Sequence, residues 1–306
     1  MLCGTVAVRA QDYPNRTIRI LTAEAGGGLD FQARIVGQGL TASYGRQVII
    51  ENRGTGAFAA ESVAKAPPDG YTLMLYGSNV WLGPLLRSDL PWDAMRDFAP
   101  VSMTTRSANM VAVTPSLPVN SIKDLIVLAK ARPGQLNYAS GSTGSSPHLS
   151  AELFKHLAGV KITRINYRGN AQGYADVIRG EVPLIFPTLA SVAPHLQSGK
   201  VRALAVTTAK RSAHYPALPT VAESGLPGYE AATITGVFAP AATPAALVAQ
   251  ISVDVAKVMN RADLKARFVN IGVDAVGSPP EEFAATLRSE IARMGKMIKA
   301  AGLRDE

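Results

Sequence analysis

A chain of 306 residues, 47% hydrophobic and 18% charged, is long enough for about two domains of ~150 residues each and too apolar for disorder. Gly, Pro or a charge interrupts every apolar stretch well before the ~18 residues that a membrane helix needs, so no span is expected. Lys and Arg exceed Asp and Glu by 31 to 23, a net charge of +8, but the excess is dispersed and aromatics are only 6%. That balance favours small anionic ligands and argues against a nucleic-acid surface, which needs clustered basic residues with stacking partners.

The opening MLCGTVAVRA reads as the remnant of a secretory signal over 1–10, with Val8, Arg9 and Ala10 as a small-x-small cleavage site and Gln11 as the first mature residue. No basic region precedes the apolar run, so Met1 reads as a late start. Cleavage there would remove Cys3, the only cysteine, and leave a chain compatible with an oxidising compartment. A cytosolic N-terminal tail is the alternative.

Short β-rich runs then alternate with amphipathic segments, the pattern of an α/β fold with mainly parallel sheets. Strands are expected over 17–22, 47–51 and 71–76, with helices over 29–43 and 57–65 between them. Pro67, Pro68, Asp69 and Gly70 make a strong turn, because Pro presets φ and Gly accepts positive φ. A looser stretch over 80–100 follows. The rhythm resumes with strands over 109–114, 136–139, 162–167, 183–186 and 201–207. Among the helices of this half are 121–131, with Ser121 as N-cap and Asp124 in capping-box position, and 147–158. After a last strand over 236–239 the chain turns helical over 244–259, 262–269 and 280–300. The final helix carries Phe283, Leu287, Ile291, Met294 and Ile298 on one stripe, read as core. Two lobes follow, 13–110 plus 235–306 and 111–234, linked by ordinary strands as in a hinge between rigid domains.

Catalytic motifs are scarce. His148, His156, His195 and His214 have no metalloprotease spacing, one cysteine builds no zinc site, and neither a nucleophile elbow nor a P-loop is present. No metal or cofactor is expected. Instead, Gly, Ser and Thr cluster where strands hand over to helices: Ala25, Gly26, Gly27, Gly28 and Asp30; Ser78 and Asn79; Ser140, Ser142, Thr143 and Ser146; Arg168 and Asn170. In an open α/β sheet such positions are the carboxyl ends of strands, where free N–H groups and hydroxyls hold an anion. Thr188, beyond the strand ending at Phe186, completes the set of candidate ligand residues. Each cluster also reads singly as an ordinary connection; their common placement favours a cleft gripping a small carboxylate. Arg168 is the candidate for direct charge neutralisation, and His148 for a local bond in its helical turn. A dinucleotide fold is imitated by Gly26, Gly27, Gly28 and Glu51, but Phe31 occupies the place of the third glycine.

At these loops the chain resembles the periplasmic receptors of tripartite tricarboxylate transporters, the Bug-type solute-binding proteins. The segments that carry the resemblance, in order, are YPNRTIRIL, AGGGLDFQAR, VIIENRGTGAFAAESVAKAPPDGYTL, DFAPVS, KARPGQLNYASG, SSPHLSAELFK, KVRALAVTTAKR, PTVAESGLPGYE and FAPAATPAALV. The resemblance implies a two-lobed Venus flytrap, a carboxylate held between lobes, delivery to integral-membrane transporter subunits, a periplasmic location and no catalysis. A monomer is expected. By position it maps the family's binding loops onto 25–30, 77–79, 140–146 and the loop after Tyr167. The chain departs from the family at 21–25, where Leu21, Thr22, Ala23, Glu24 and Ala25 replace Pro-Phe-Ala-Pro and put an acid near the cleft mouth. It departs again at Pro187, where Asp is common, and at Gln172, where Pro is frequent. With Pro187 removing one partner for an ammonium, a dicarboxylate or aromatic acid is favoured over an amino acid; the alternative is that Glu24 faces the cleft and holds an ammonium or another cation. Phe31 and Trp81 are candidates for a flat apolar wall, core packing being the alternative for each. An enzyme acting on a carboxylate in the same cleft stays open as the rival function.

Overall fold

The computed structural model describes residues 13–25, 27–53, 56–167 and 170–303. The signal-like segment over 1–10, Gln11, Gly26 and Arg168 lie outside the described residues. The first half of lobe 1 is a run of β1 (Ile18–Thr22), α1 (Gly28–Tyr44), β2 (Val48–Asn52), α2 (Gly56–Ala64), β3 (Thr72–Tyr76), α3 (Asn79–Leu86) and α4 (Ala94–Asp97). β1 pairs in parallel with β2 and β3, as right-handed βαβ units require. α1 ends on Gly45 with its N–H returned to the Thr41 carbonyl.

The stretch expected to be loose over 80–100 holds α3 and α4, and it runs into the eleven-residue β4 (Phe98–Ala108). Its period is hidden because the inward side chains are hydroxyls. Ser102, Thr104, Thr105 and Ser107 are all buried, and Thr104 and Thr105 bond the Thr235 hydroxyl at 3.0 and 2.6 Å. Gln32 Oε1 lies within hydrogen-bond distance of two of these, 2.9 Å from Thr105 Oγ1 and 2.6 Å from Thr235 Oγ1. Satisfied polar groups replace an apolar stripe there, so hydrophobic alternation cannot show the strand.

Lobe 2 follows with β5 (Met110–Val113), α5 (Ile122–Ala131), β6 (Asn137–Ser140), α6 (Ser146–Ala158), β7 (Thr163–Asn166), α7 (Asn170–Arg179), β8 (Leu184–Ile185), α8 (Leu189–Gln197) and β9 (Arg202–Val206). Ser121 caps α5 as expected, accepting the Asp124 N–H at 3.1 Å. The chain returns through β10 (Ala232–Pro240), α9 (Ala245–Asn260), α10 (Ala262–Val269), β11 (Asp274–Ala275) and α11 (Pro280–Ala300).

Among the described residues the strands form two sheets, six-stranded β11-β4-β10-β3-β1-β2 and five-stranded β7-β6-β8-β5-β9. Both are mixed. β1, β2 and β3 are parallel, as are β6, β7 and β8, whereas β10 runs antiparallel to β3 and β4, and β5 to β8 and β9. The antiparallel strands are those next to the crossings between sheets, where the chain leaves one sheet and re-enters the other.

One core face of the first sheet packs α1 and α9 against Ile20, Leu73 and Val237. The opposite face continues into lobe 2 and includes Trp81, Phe238 and Phe283, whose rings lie 5.0–6.5 Å apart. Gly236 is required here, since a Cβ would stand 2.3 Å from the Phe283 ring. The stripe of α11 is core: Phe283, Leu287, Met294 and Ile298 are buried and Ile291 packs against them. Among the described residues no helix is long and apolar enough to cross a membrane.

Candidate functional site

The loop from Ser140 to Ser146 lies where the two lobes meet. Ser78 Oγ donates to the Gly144 carbonyl at 3.0 Å and Asn79 Nδ2 to the Thr143 carbonyl at 2.9 Å. Gly144 adopts φ +77°, and a Cβ there would stand 3.1 Å from Leu86 of α3, so backbone and opposite lobe approach closely. On the lobe-2 side the Gly144 N–H donates to His148 Nδ1 at 3.2 Å. His148 is 3% exposed, and burial first, then the charges of Arg164 and Lys155, push it down to about 3. The imidazole is therefore neutral, with its proton on Nε2, and bonds locally as expected.

This loop separates two chambers. The first is bounded by Ser140, Gly141, Tyr167, Tyr174, Pro187, Thr188 and Ser191, and its inner space is only about 10 Å³, room for roughly one water. Three of its hydroxyls are paired with each other, Thr188 Oγ1 lying 2.7 Å from Ser191 Oγ, which also bonds Tyr174 Oη, and Tyr167 Oη donates to Asp176 at 2.6 Å. The second chamber, about 330 Å³, is lined by Glu24, Leu29, Tyr76, Asn79, Leu90, Trp92, Ser142, Thr143 and Ser145 among others. That volume suits a small organic ligand. The side-chain hydroxyls of Tyr76, Ser142 and Ser145 bond no described residue, and burial, with the Glu24 charge adding to it, keeps the Tyr76 phenol protonated and a donor. A larger, open groove near Tyr215 and Leu218 lies on lobe 2 elsewhere; its Arg202 is committed to the Leu117 and Val119 carbonyls at 2.7 Å.

The expected site residues thus divide. Asn79, Ser142 and Thr143 line the larger chamber, Ser140 and Thr188 the smaller, and Ser78 seals the contact between lobes. Ala25, Gly27 and Gly28 stand exposed at the start of α1. Asp30 is 4% exposed and its carboxylate is held by Arg34 at 2.9 Å and Asn52 at 2.8 Å, while Asn52 also bonds the Ala23 carbonyl at 2.6 Å. Asp30 therefore braces the first loop. Ser146 turns toward the hinge, bonding Asn109 at 2.7 Å and Thr233 at 3.0 Å. Asn170 opens α7.

The apolar wall needs correction. Trp81 is 2% exposed in the lobe-1 core, and Phe31 packs on Phe268 and under the Arg267 guanidinium. Leu29, Ala57, Leu90 and Trp92 line the chamber instead. Trp92 was hidden in the stretch read as loose; its indole N–H is anchored on the Val80 carbonyl at 3.0 Å, which sets the ring's position. Glu24 does stand at the larger chamber, as its place in the sequence suggested. Arg164 also escaped notice, since nothing in a strand TRIN marks one side chain as reaching the serine loop. Its guanidinium bonds Thr143 Oγ1 at 3.0 Å and the Gly141 carbonyl at 2.7 Å. Among the described residues no group of three His, Cys, Asp or Glu is placed to hold a metal.

Two lobes around a hydroxyl-lined cleft of this size make a solute-binding fold. The chain belongs to the tripartite tricarboxylate transporter receptor family, whose pattern matches residues 32–303, and it is a solute-binding receptor of that family. BugT of Bordetella pertussis is 31% identical over 300 residues, covering 96% of this chain and 92% of BugT. Among solved structures, R. palustris Rpa4515 with adipate is 38% identical with a TM-score of 0.87, covering 95% of this chain and 99% of that one. MatC from Rhodopseudomonas palustris with bound malate is 26% identical with a TM-score of 0.84, covering 94% and 100%.

Proposed function

We propose that this receptor captures a small organic carboxylate, a dicarboxylate or an aromatic acid, against the serine loop between its lobes. It does so without turnover, as a monomer in the periplasm, and hands the acid to integral-membrane transporter subunits. The lobes comprise 13–110 plus 235–306 and 111–234, and they close on the ligand by the hinge at Asn109 and Thr207. The observation that carries this reading is the chamber of about 330 Å³ whose Ser142, Ser145 and Tyr76 hydroxyls have no partner among the described residues, beside walls of Leu29, Leu90 and Trp92. Donors on one side and apolar surface on the other match an acid with a carbon skeleton. The adipate and malate held by two similar proteins support the same class.

Calorimetric titration of the mature protein with adipate, malate, citrate, benzoate and glutamate tests it. The expected result is binding of at least one non-amino acid more tightly than glutamate, with the acid recovered unchanged. Absence of heat and of any thermal shift across the panel overturns the reading; conversion of the bound acid would make the chain an enzyme.

A further inference from the structure

Arg164 stands on β7, the edge strand of the second sheet, behind the serine loop. All three of its hydrogen-bond acceptors are neutral: Thr143 Oγ1 at 3.0 Å, the Gly141 carbonyl at 2.7 Å and Asn166 Oδ1 at 3.1 Å. Its Nε is buried with no partner among the described residues. No carboxylate pairs with it among the described residues. Glu152, in the same lobe, is taken by both Lys155, at 2.7 Å, and Tyr138, at 2.5 Å. A guanidinium that is surrounded by neutral acceptors and partly withdrawn from water keeps an uncompensated field on the loop in front of it.

The geometry directs that field. Gly141 lines the smaller chamber and Thr143 the larger, so the guanidinium is tied to both. Thr143 Oγ1 accepts from Arg164, and this leaves the hydroxyl's own proton to donate elsewhere. A hydroxyl that accepts from a cation is a stronger donor, because hydrogen bonds in series polarise one another. On the far side of the loop, the Thr143 carbonyl receives Asn79 from lobe 1. One arginine therefore both fixes the loop and polarises the hydroxyl of a chamber-lining residue.

Resting on the proposed carboxylate capture, we infer that Arg164 is the positioning residue that supplies positive potential to the anion through Thr143, without touching the ligand. It prefers ligands with a carboxylate against the serine loop over their neutral amides. The effect is electrostatic, so it weakens with salt.

The test measures adipate affinity at low and high salt for the wild type, Arg164→Gln and Arg164→Lys, with adipamide as the neutral probe and circular dichroism as the check on folding. Gln retains donors for the loop and loses the charge; Lys retains the charge and loses the fork. A loss of about tenfold with a flattened salt dependence is expected for Arg164→Gln, and near wild-type behaviour for Arg164→Lys. Equal loss in both variants, or wild-type affinity in Arg164→Gln, overturns the inference. Should Arg164→Gln fail to fold, Arg164→Lys decides: wild-type affinity and salt slope support the inference, a tenfold drop refutes it. Wild-type protein that binds no acid of the panel brings down the proposed function and this inference together, whereas a binding wild type with an indifferent Arg164→Gln removes only the inference.

Discussion

Two polar seams join the lobes, one at the hinge and one at the serine loop, and they are built differently. At the hinge, Asn109 is fully buried; its Nδ2 donates to Ser146 and Ser150 at 2.7 Å, its Oδ1 accepts from Thr233 at 2.7 Å, and its N–H donates to Thr207 Oγ1 at 2.9 Å. Thr207 in turn donates to the Ala231 carbonyl at 2.7 Å, so both crossings of the chain are tied to each other. At the loop, Ser78 and Asn79 each offer a bond to one backbone carbonyl across the gap, beside the larger chamber. A closed network of buried groups loses heavily when any member is removed, while two separate bonds, one buried at Ser78 and one part-buried at Asn79, are each lost without unsettling the other. The first seam holds the crossings in register; under the proposed closure of the lobes, the second is the part that yields.

Breaking the hinge seam has the largest expected effect. Asn109→Ala removes three buried side-chain hydrogen bonds, to Ser146, Ser150 and Thr233, and should lower unfolding free energy by about 3 kcal/mol, read by urea denaturation. A loss under about 1 kcal/mol would mean that the two seams are energetically alike.

The serine loop carries a pH dependence that the hinge lacks. His148 is held down to about 3 in the folded protein against an ordinary 6.5, chiefly by burial. Its folded value lies below the unfolded one, so the unfolded chain takes up the extra proton and stability falls as pH drops from about 6.5 toward 3. Between about pH 7 and pH 5 the loss should be roughly 1–2 kcal/mol. His148→Gln keeps an acceptor for the Gly144 N–H without titrating, and should flatten this part of the curve; an unchanged slope would show that other groups carry it.

How much of this was legible follows from where chemistry leaves a period. α1, α5 and α11 show themselves because one face is apolar and their ends carry helix-boundary residues, Gly27 and Gly45, Ser121, and Pro279 with Pro280. β4 does not, because its inward groups are hydroxyls bonded to Thr235 and Gln32. The serine loop was visible as a composition cluster, and so was the acid at Glu24. Trp81 and Trp92 were not distinguishable in advance: both sit in a stretch without clear rhythm and both are buried, and only the packing of Trp81 on Phe238 and Phe283 keeps it off the chamber that Trp92 borders. Arg164 depended on the register of β7 beside β6, a long-range fact with no local sign.

The loop's donors provide the next test. Ser142→Ala and Thr143→Ala should each weaken binding of the best acid in the panel by about 1–2 kcal/mol, since a hydrogen bond to a charged acceptor is worth roughly 1.5–3. Ser140→Ala, which alters the smaller chamber of about 10 Å³, should cost less than either. A larger loss at Ser140 than at Thr143 would move the anion to the other side of the loop.

The smallest expected effect separates a latch from a ligand contact. Asn79→Ala removes one part-buried bond to the Thr143 carbonyl, worth about 1 kcal/mol net, and so shifts the balance between open and closed lobes about fivefold. If Asn79 acts mainly as a latch, X-ray scattering should give the variant a larger radius of gyration than the wild type without acid, and the same radius with saturating ligand. Affinity should then fall by no more than that fivefold, because the ligand itself restores closure through its preference for the closed state. A loss beyond tenfold with an unchanged ligand-free radius would instead mean that Asn79 grips the acid directly, and that the seam at the serine loop belongs to the ligand rather than to the lobes.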